Sequence, residues 1–382
     1  VLELDVKRSG RVIMTQSNPI PETGSYFWTA TFAAALFALA AGCSDDSAGS
    51  HTPDAGEQID GSHHLDGSTS GDGSSGVDSG EPDGGQTTEH DCANPHPDWL
   101  LCESFEGGGG DFATWFAQSD FLAAHGEDDR GRIDLSSEHV HTGSWAIHYP
   151  AAATSDYRGS GLDWRACDGP QEVGCSQRSF DTLYFRAWVR FAADHQYVHH
   201  FLNIGGSQPD DYWYHGTAGC LPSGELSMGT TVDFHEGSHE SFFYTYFPEM
   251  SCDTSCGNYM DVQAVCDECA SKGLPTCTDQ PQCCWGNHFA PDPPVALPVG
   301  QWFCFEMTMT ANTPGQHDGS MAYWVDGVLA HEVTGMMWRT VPELALNRVR
   351  LQHYITASDA DGHSNQVWFD DVVVSTSRIG CQ

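Results

Sequence analysis

The sequence predicts an all-β fold, an antiparallel two-sheet sandwich or jelly roll with a disulfide-rich insertion. Three observations lead there. From Cys92 onward, apolar and polar residues alternate in short runs bounded by turn residues, the period-two signature of half-buried strands. No segment carries a long, clean helical repeat. Fourteen cysteines, an even number, lie between Cys92 and Cys381, as expected of a disulfide framework in an oxidising compartment.

Residues 1–43 read as a signal peptide with a lipobox. Phe27 to Gly42 (FWTATFAAALFALAAG) is uncharged and mostly apolar, about the length of a signal-peptide core and short for a bilayer span of ~30 Å. It ends in Leu39-Ala40-Ala41-Gly42-Cys43-Ser44, small residues before a cysteine whose thiol takes the lipid, although the leucine sits one place earlier than the usual lipobox wants. The competing reading is an ordinary signal peptide or short anchor. Export as an outer-membrane or cell-surface lipoprotein, in contact with the membrane through the Cys43 lipid only, is the expectation.

Residues 44–91 hold 10 Gly, 9 Ser and 12 acids, with no Lys, Arg or aromatic residue. Such a segment buries too little to offset the entropy of ordering, so a disordered acidic linker with a span of roughly 40 Å is expected.

Residues 92–382 form the folded domain. In Leu183–Phe191 (LYFRAWVRF), Leu183, Phe185, Ala187, Val189 and Phe191 share one face; Tyr184, Arg186, Trp188 and Arg190 share the other. Trp302–Ala311 alternates likewise, with Phe303, Phe305, Met307 and Met309 on its apolar side. Tyr323–Leu329 reads as a hairpin, because Asp326-Gly327 favours the tight turn that matches strand twist. Arg348–Thr356 and Val367–Ser375 supply two further strands, the first placing Arg350, Gln352 and Tyr354 on one face. At about 251–284 the pattern breaks: seven cysteines fall in 34 residues, which reads as a disulfide-knotted insertion that stiffens a loop or shapes the rim of a cleft. Cys266-x-x-Cys269 with Cys277, Cys283 and Cys284 also admits a zinc reading, which an exported context disfavours. Cys167 and Cys175 enclose a short turn and are expected to pair. The adjacent Cys283 and Cys284 are expected to have different partners.

Charge excludes one class of partner. The formal net charge is −38 and Lys272 is the single lysine beyond Cys43, so no nonspecific nucleic-acid binding is expected. The chemistry of several enzyme classes is also missing. There is no Glu-x-Asp-x-Glu run for two-carboxylate glycoside cleavage, no Gly-x-Ser-x-Gly elbow and no phosphate loop. A His-Glu-x-x-His run is present as His235-Glu236-Gly237-Ser238-His239. His235 and His239 are four apart, but in a strand or loop context the helical metal spacing does not apply.

Gln301-Trp302-Phe303-Cys304-Phe305-Glu306, Asn312-Thr313-Pro314-Gly315, Asp318-Gly319 and Trp324-Val325-Asp326-Gly327, with the ending Trp368-Phe369-Asp370-Asp371-Val372-Val373-Val374-Ser375, carry a resemblance. The chain resembles the jelly-roll polysaccharide lyases, of concanavalin A-like fold, that cleave alginate or glucuronan, over roughly residues 102–381. The resemblance implies β-elimination on a uronic-acid polysaccharide by a lysine, a Ser-x-Arg pair and a Tyr-x-Tyr pair on the concave sheet. Here the tyrosine pair is Tyr244 and Tyr246; His200 stands at the lysine position; and Ser227-Met228-Gly229 lacks the arginine. Catalysis is therefore expected from Tyr244, Tyr246, His200 and Arg350, with Arg186, Trp188, Arg190, Ser227, Gln352 and Tyr354 contacting substrate if both strand faces line the cleft. The alternative is a non-catalytic, lectin-like surface protein in which Tyr244, Tyr246 and Trp188 form a flat platform for sugars. The resemblance also implies a structural calcium ion held by Glu106 and Asp370 or Asp371, with backbone carbonyls near Gly143 and Ser144. No organic cofactor is expected. The expected partner is an extracellular polysaccharide, bound by a monomer.

Overall fold

Period-two burial organises the folded chain. On strand β6 (Thr182–Phe191), Leu183, Phe185, Ala187, Val189 and Phe191 are all completely buried, and on β11 (Trp302–Thr310) so are Phe303, Phe305, Met307 and Met309. Each sheet offers one apolar face, and two such faces close on each other. The computed structural model describes residues 91–123, 133–150, 160–166, 178–196, 198–208, 216–253, 261–275, 282–354 and 365–381. Cys43, the linker before residue 91, and the Cys167 and Cys175 pair lie outside the described residues.

The first sheet has the order β13 (Val328–Met336), β12 (Gly319–Val325), β11, β6, β15 (Val367–Ser375), β4 (Ala146–Tyr149) and β3 (Asp134–Ser136); β1 (Trp99–Glu103) pairs with the second half of β15. The second sheet has the order β10 (Asn287–Phe289), β9 (Ser241–Tyr246), β8 (Ser227–Phe234), β7 (Leu202–Ser207), β14 (Arg348–His353), β5 (Ser160–Arg165) and β2 (Phe121–Ala123). Every pairing between these strands is antiparallel. The chain is thus an all-β, two-sheet jelly-roll sandwich. Phe201, Ile204, Val232, Phe243, Val349 and Leu351 of the second sheet meet Phe185, Phe191, Phe305 and Phe369 of the first in one core. The β12–β13 hairpin turns at Asp326 and Gly327, both at positive φ (49° and 77°), as a tight turn requires.

Among the described residues, two short α-helices interrupt the strands: α1 (Phe112–Phe116) and α2 (Val262–Ser271). The second lies in the cysteine-rich insertion, which the alternation of residues did not foresee as helical. Its start is capped by Asp261, whose side chain accepts the N–H of Gln263. Val265 and Cys269 on its buried face join Cys220, Leu274 and Cys283 in a small second core. Described disulfides link Cys92–Cys102, Cys220–Cys269, Cys252–Cys284 and Cys304–Cys381. Because Cys284 bonds Cys252, the adjacent Cys283 and Cys284 do not bond each other. Disulfides of this kind belong to an exported protein.

Candidate functional site

Register across the second sheet assembles the site. On its outward face, one row of cross-strand neighbours runs Asp163 (β5), Arg350 (β14), Asn203 (β7), Thr231 (β8), Tyr244 (β9) and His288 (β10). The next row runs Arg165, Arg348, Gly205, Gly229 and Tyr246. A cleft of about 210 Å³ opens over these rows, lined by His200, Asn203, Ser227, Tyr244, Tyr246 and Arg348 among others. Thr217, Ala218, Cys220 and Leu274 form a rim on one side. The Cys220–Cys269 bond ties that rim to α2, so the insertion shapes the cleft as well as stiffening its own loop.

The tyrosines stand together. Their hydroxyl oxygens are 3.3 Å apart, as expected for positions i and i+2 of one strand face. Burial pushes the Tyr244 phenol above its ordinary pKa, and burial plus the neighbouring Tyr244 pushes Tyr246 higher still. Both therefore keep their protons at neutral pH. Gly286, just after Cys284, is packed on Tyr244: a Cβ there would sit 2.6 Å from the ring, so only glycine allows this approach.

His200 lies at the head of β7, where its backbone bridges Tyr354. Its ring centroid is 5.1 Å from that of Tyr244. Its Nδ1 is 2.9 Å from Oδ2 of Asp233, a buried residue of β8 whose Oδ1 accepts the N–H of Phe201 at 3.0 Å. The carboxylate favours the tautomer with the proton on Nδ1 and leaves Nε2 as the basic nitrogen. Asp233 was not among the residues expected from sequence. Its alternation with Thr231, Gly229 and Ser227 along β8 is the signal that would have found it.

The cation of the cleft is Arg348, not Arg350. Arg350 makes a bidentate pair with Asp163 through Nε–Oδ1 and Nη2–Oδ2, the latter 2.9 Å. Burial raises the Asp163 pKa, but Arg350, Arg165 and Arg348 outweigh it and hold the carboxyl at about 2. The charge of Arg350 is thus committed within the protein. Arg348, one strand repeat earlier, lies over Gly205, where a Cβ would come within 3.2 Å of its Nη2. That Nη2 donates to Oδ1 of Asn203 at 3.4 Å, while the Asn203 amide donates to the Thr230 carbonyl (3.0 Å) and the Thr231 hydroxyl (3.1 Å). Asn203 therefore uses both amide protons on the protein and positions Arg348. Gln352 is buried on the same face of β14, and Tyr354 packs its ring edge-on to His199 at 5.0 Å.

Three expected substrate contacts are elsewhere. Arg186, Trp188 and Arg190 do leave the core, but β6 belongs to the first sheet and its outward face points away from this cleft. Arg186 is 1% exposed and donates to the carbonyls of Asp371 (3.1 Å) and Gly380 (3.4 Å). Trp188 stacks on His141 with centroids 3.7 Å apart, and Arg190 sits between its cross-strand neighbours Trp302 and Trp368. The flat platform of Tyr244, Tyr246 and Trp188 accordingly does not form.

The residues expected to hold calcium are near one another but turned to other donors. Glu106 Oε1 accepts the N–H groups of Ser144 (2.7 Å) and Trp145 (2.9 Å). Asp370 accepts the N–H groups of His141 (2.9 Å), Thr142 (3.2 Å) and Asp371 (2.9 Å); burial and the neighbouring Asp371 push its pKa well up. Asp371 takes the Thr142 hydroxyl at 2.8 Å and faces His141 Nδ1 at 3.0 Å. N–H and O–H donors of residues 141–145 thus occupy oxygens of these carboxylates. Among the described residues, no group of three or more His, Cys, Asp or Glu side chains is placed to hold a metal ion. No step below depends on a calcium ion here.

No protein-family model matches the sequence, and no curated protein matches it. Solved structures of similar fold include an endo-β-1,4-glucuronan lyase from the fungus Trichoderma reesei (15% identity, 74% of this chain and 92% of that one, TM-score 0.38). They also include an alginate lyase from Aplysia kurodai (13% identity, 73% and 99%, TM-score 0.46) and one from a Chlorella virus (12% identity, 65% and 95%, TM-score 0.43). At such identities and scores the likeness carries no assignment of activity, so the functional reading rests on the cleft's own residues.

Proposed function

We propose that this protein is an exported, Cys43-lipidated lyase that cleaves a uronic-acid polysaccharide by β-elimination in the cleft of the second sheet. The observation that carries the reading is the group Asp233–His200–Tyr244–Tyr246 in one cleft with Arg348. A base oriented by a buried carboxylate stands 5.1 Å, ring to ring, from a phenol that stays protonated. That is the acid–base arrangement an elimination needs.

In the reaction, the sugar carboxylate lies against the Arg348 guanidinium, which stabilises the charge that builds up when the neighbouring carbon loses its proton. Nε2 of His200 takes that proton from C5. The electron pair forms the C4=C5 double bond as the C4–O bond breaks, and a hydroxyl of the Tyr244–Tyr246 pair gives its proton to the leaving oxygen. The raised tyrosine pKa values favour an acid role for both phenols, so the base is assigned to His200. The products are a new chain end and an unsaturated uronate, with no net change in oxidation state.

The test is to incubate the protein with alginate, glucuronan, other polyuronates and neutral glucans and to follow ultraviolet absorbance of the unsaturated uronate. A rise that His200→Gln and Tyr244→Phe abolish supports the lyase. One observation favours a second reading, a carbohydrate-binding protein without turnover: Arg350 is neutralised by Asp163, leaving Arg348 as the guanidinium lining the cleft. Binding of a polysaccharide with no absorbance rise on any polymer would establish that reading instead.

A further inference from the structure

Beyond Tyr244, away from the Thr217–Leu274 rim, the outward face of the second sheet carries a ring stack that the elimination does not use. Phe242, two residues before Tyr244 on β9, touches two imidazoles whose centroids lie 6.5 Å apart. His288 of β10 stacks on it with centroids 4.4 Å apart and planes at 22°, and His235, at the end of β8, lies at 4.7 Å. Phe242 is buried while both histidines are exposed. His288 meets the Tyr244 ring at 5.6 Å, so the stack is continuous with the reaction site. Stacking on Phe242 holds the imidazoles in place, yet among the described residues neither ring nitrogen pair has a protein hydrogen-bond partner. Histidines here that serve the fold look different: His195 engages both ring nitrogens, with His239 (2.9 Å) and His353 (3.0 Å).

We propose that His235 and His288 form a second subsite, which binds the carboxylate of a further uronate unit in the chain next to the one that reacts, and binds it more tightly as the imidazoles gain protons. The inference rests on the polyuronate reading above. The charge of the chain gives it point: at −38 overall, the protein repels a polyanion, and fixed cations on this face are few. Two imidazoles offer ring N–H donors and, in the protonated form, positive charge where the sheet has no lysine. The groups facing them are Asp233 on β8, His200 at the head of β7, Tyr244 on β9, and Glu236 and Glu240 in the turn between β8 and β9, whose Glu240 carbonyl accepts the His235 N–H at 3.0 Å. Burial holds His288 below the ordinary imidazole range, and His235 adds to this, while Asp233 opposes it. A bound carboxylate reverses that bias, so ligand and proton bind cooperatively.

The test uses Tyr244→Phe protein, to stop turnover, with and without His235→Gln and His288→Gln. Calorimetric affinities for a polyuronate tetrasaccharide and for a neutral gluco-tetrasaccharide are compared at about pH 5.5 and about pH 7.5, on either side of the imidazole range. The expected result is a polyuronate affinity about tenfold higher at the lower pH, since each imidazole whose pKa the ligand raises by about one unit contributes up to about tenfold. The His235→Gln/His288→Gln protein should lose most of that gain, and the neutral sugar should show no pH dependence. Equal pH dependence with and without the two histidines overturns the subsite and assigns the effect to His200. Acid-enhanced polyuronate binding that needs both histidines, in a wild-type protein that never produces unsaturated uronate, keeps the subsite and removes the lyase. Absence of polyuronate binding at either pH overturns both.

Discussion

The two sheets present outward faces of similar composition and opposite fate. Each turns arginines and aromatic rings away from the shared core. On the first sheet these groups are consumed: Arg186 holds the carbonyls of Asp371 and Gly380, and Glu306, completely buried, accepts the N–H groups of Ile379 (2.7 Å) and Gly380 (3.2 Å). The Cys304–Cys381 disulfide pins that carboxy-terminal strap across the face. On the second sheet, no such strap among the described residues covers Tyr244, Tyr246, His200 and Arg348, and the cleft remains. Polar residues on a strand face are thus a site only where nothing else in the chain comes to use them.

The contrast is broken if changes on the first face alter chemistry, or if changes on the second act only through folding. The largest effect is expected at Tyr244. Tyr244→Phe should lower turnover of a polyuronate by about 10²–10⁴, the usual contribution of a positioned acid, while the melting temperature stays close to wild type. Full activity in this variant, measured by the ultraviolet assay, would remove the phenol from the reaction.

Arg186→Ala should do the reverse. The buried Asp371 carbonyl and the partly buried Gly380 carbonyl lose a charged donor, at a cost of about 2–3 kcal/mol in chemical denaturation, with kcat/KM per folded molecule unchanged. A selective loss of substrate binding at unchanged stability would return Arg186 to the site and undo the distinction between the faces.

Asp233→Asn should cost turnover about 10–100-fold, since an amide favours the wrong imidazole tautomer less strictly than a carboxylate favours the right one. The loss should fall on kcat at an unchanged melting temperature, a readout that separates positioning of His200 from a merely structural role for Asp233.

The smallest effect is a slope in stability with pH. His195, His239 and His353 form a hydrogen-bonded chain in the core; burial lowers all three pKa values, that of His353 to about 3. Folded pKa values below the unfolded one mean that the unfolded state takes up protons first as pH falls. Stability should therefore be flat above about pH 6.5 and decline from there towards about pH 3. Denaturation midpoints that stay constant between pH 6.5 and 4 would show that the chain accepts a proton without cost.

Much of the fold was legible in the residues. The alternation in Leu183–Phe191 and Trp302–Ala311 named the buried faces correctly, because a strand has only two faces and water sorts them. Asp326-Gly327 marked its hairpin for an equally local reason, the positive φ both residues adopt. The helix α2 escaped because ten residues anchored by disulfides need little helical periodicity of their own.

The site was legible in its types and not in its partners. Tyr244, Tyr246, His200 and Ser227 line one cleft. No local pattern separates Arg350 from Arg348, which share one face of β14; the bidentate pairing of Arg350 with Asp163 on β5 does. Arg186, Trp188 and Arg190 were joined to the same cleft because period two tells which residues leave the core without telling which sheet the strand enters. By itself, then, the sequence determined the all-β class, the faces of the principal strands and the cysteine framework's oxidising context, all consequences of neighbouring residues and composition. Which strands lie side by side, which charges meet, and which face stays uncovered were decided by the tertiary structure. They depend on contacts such as Asp163 with Arg350, 187 residues apart, whose strength comes from a register and a burial that no local pattern encodes.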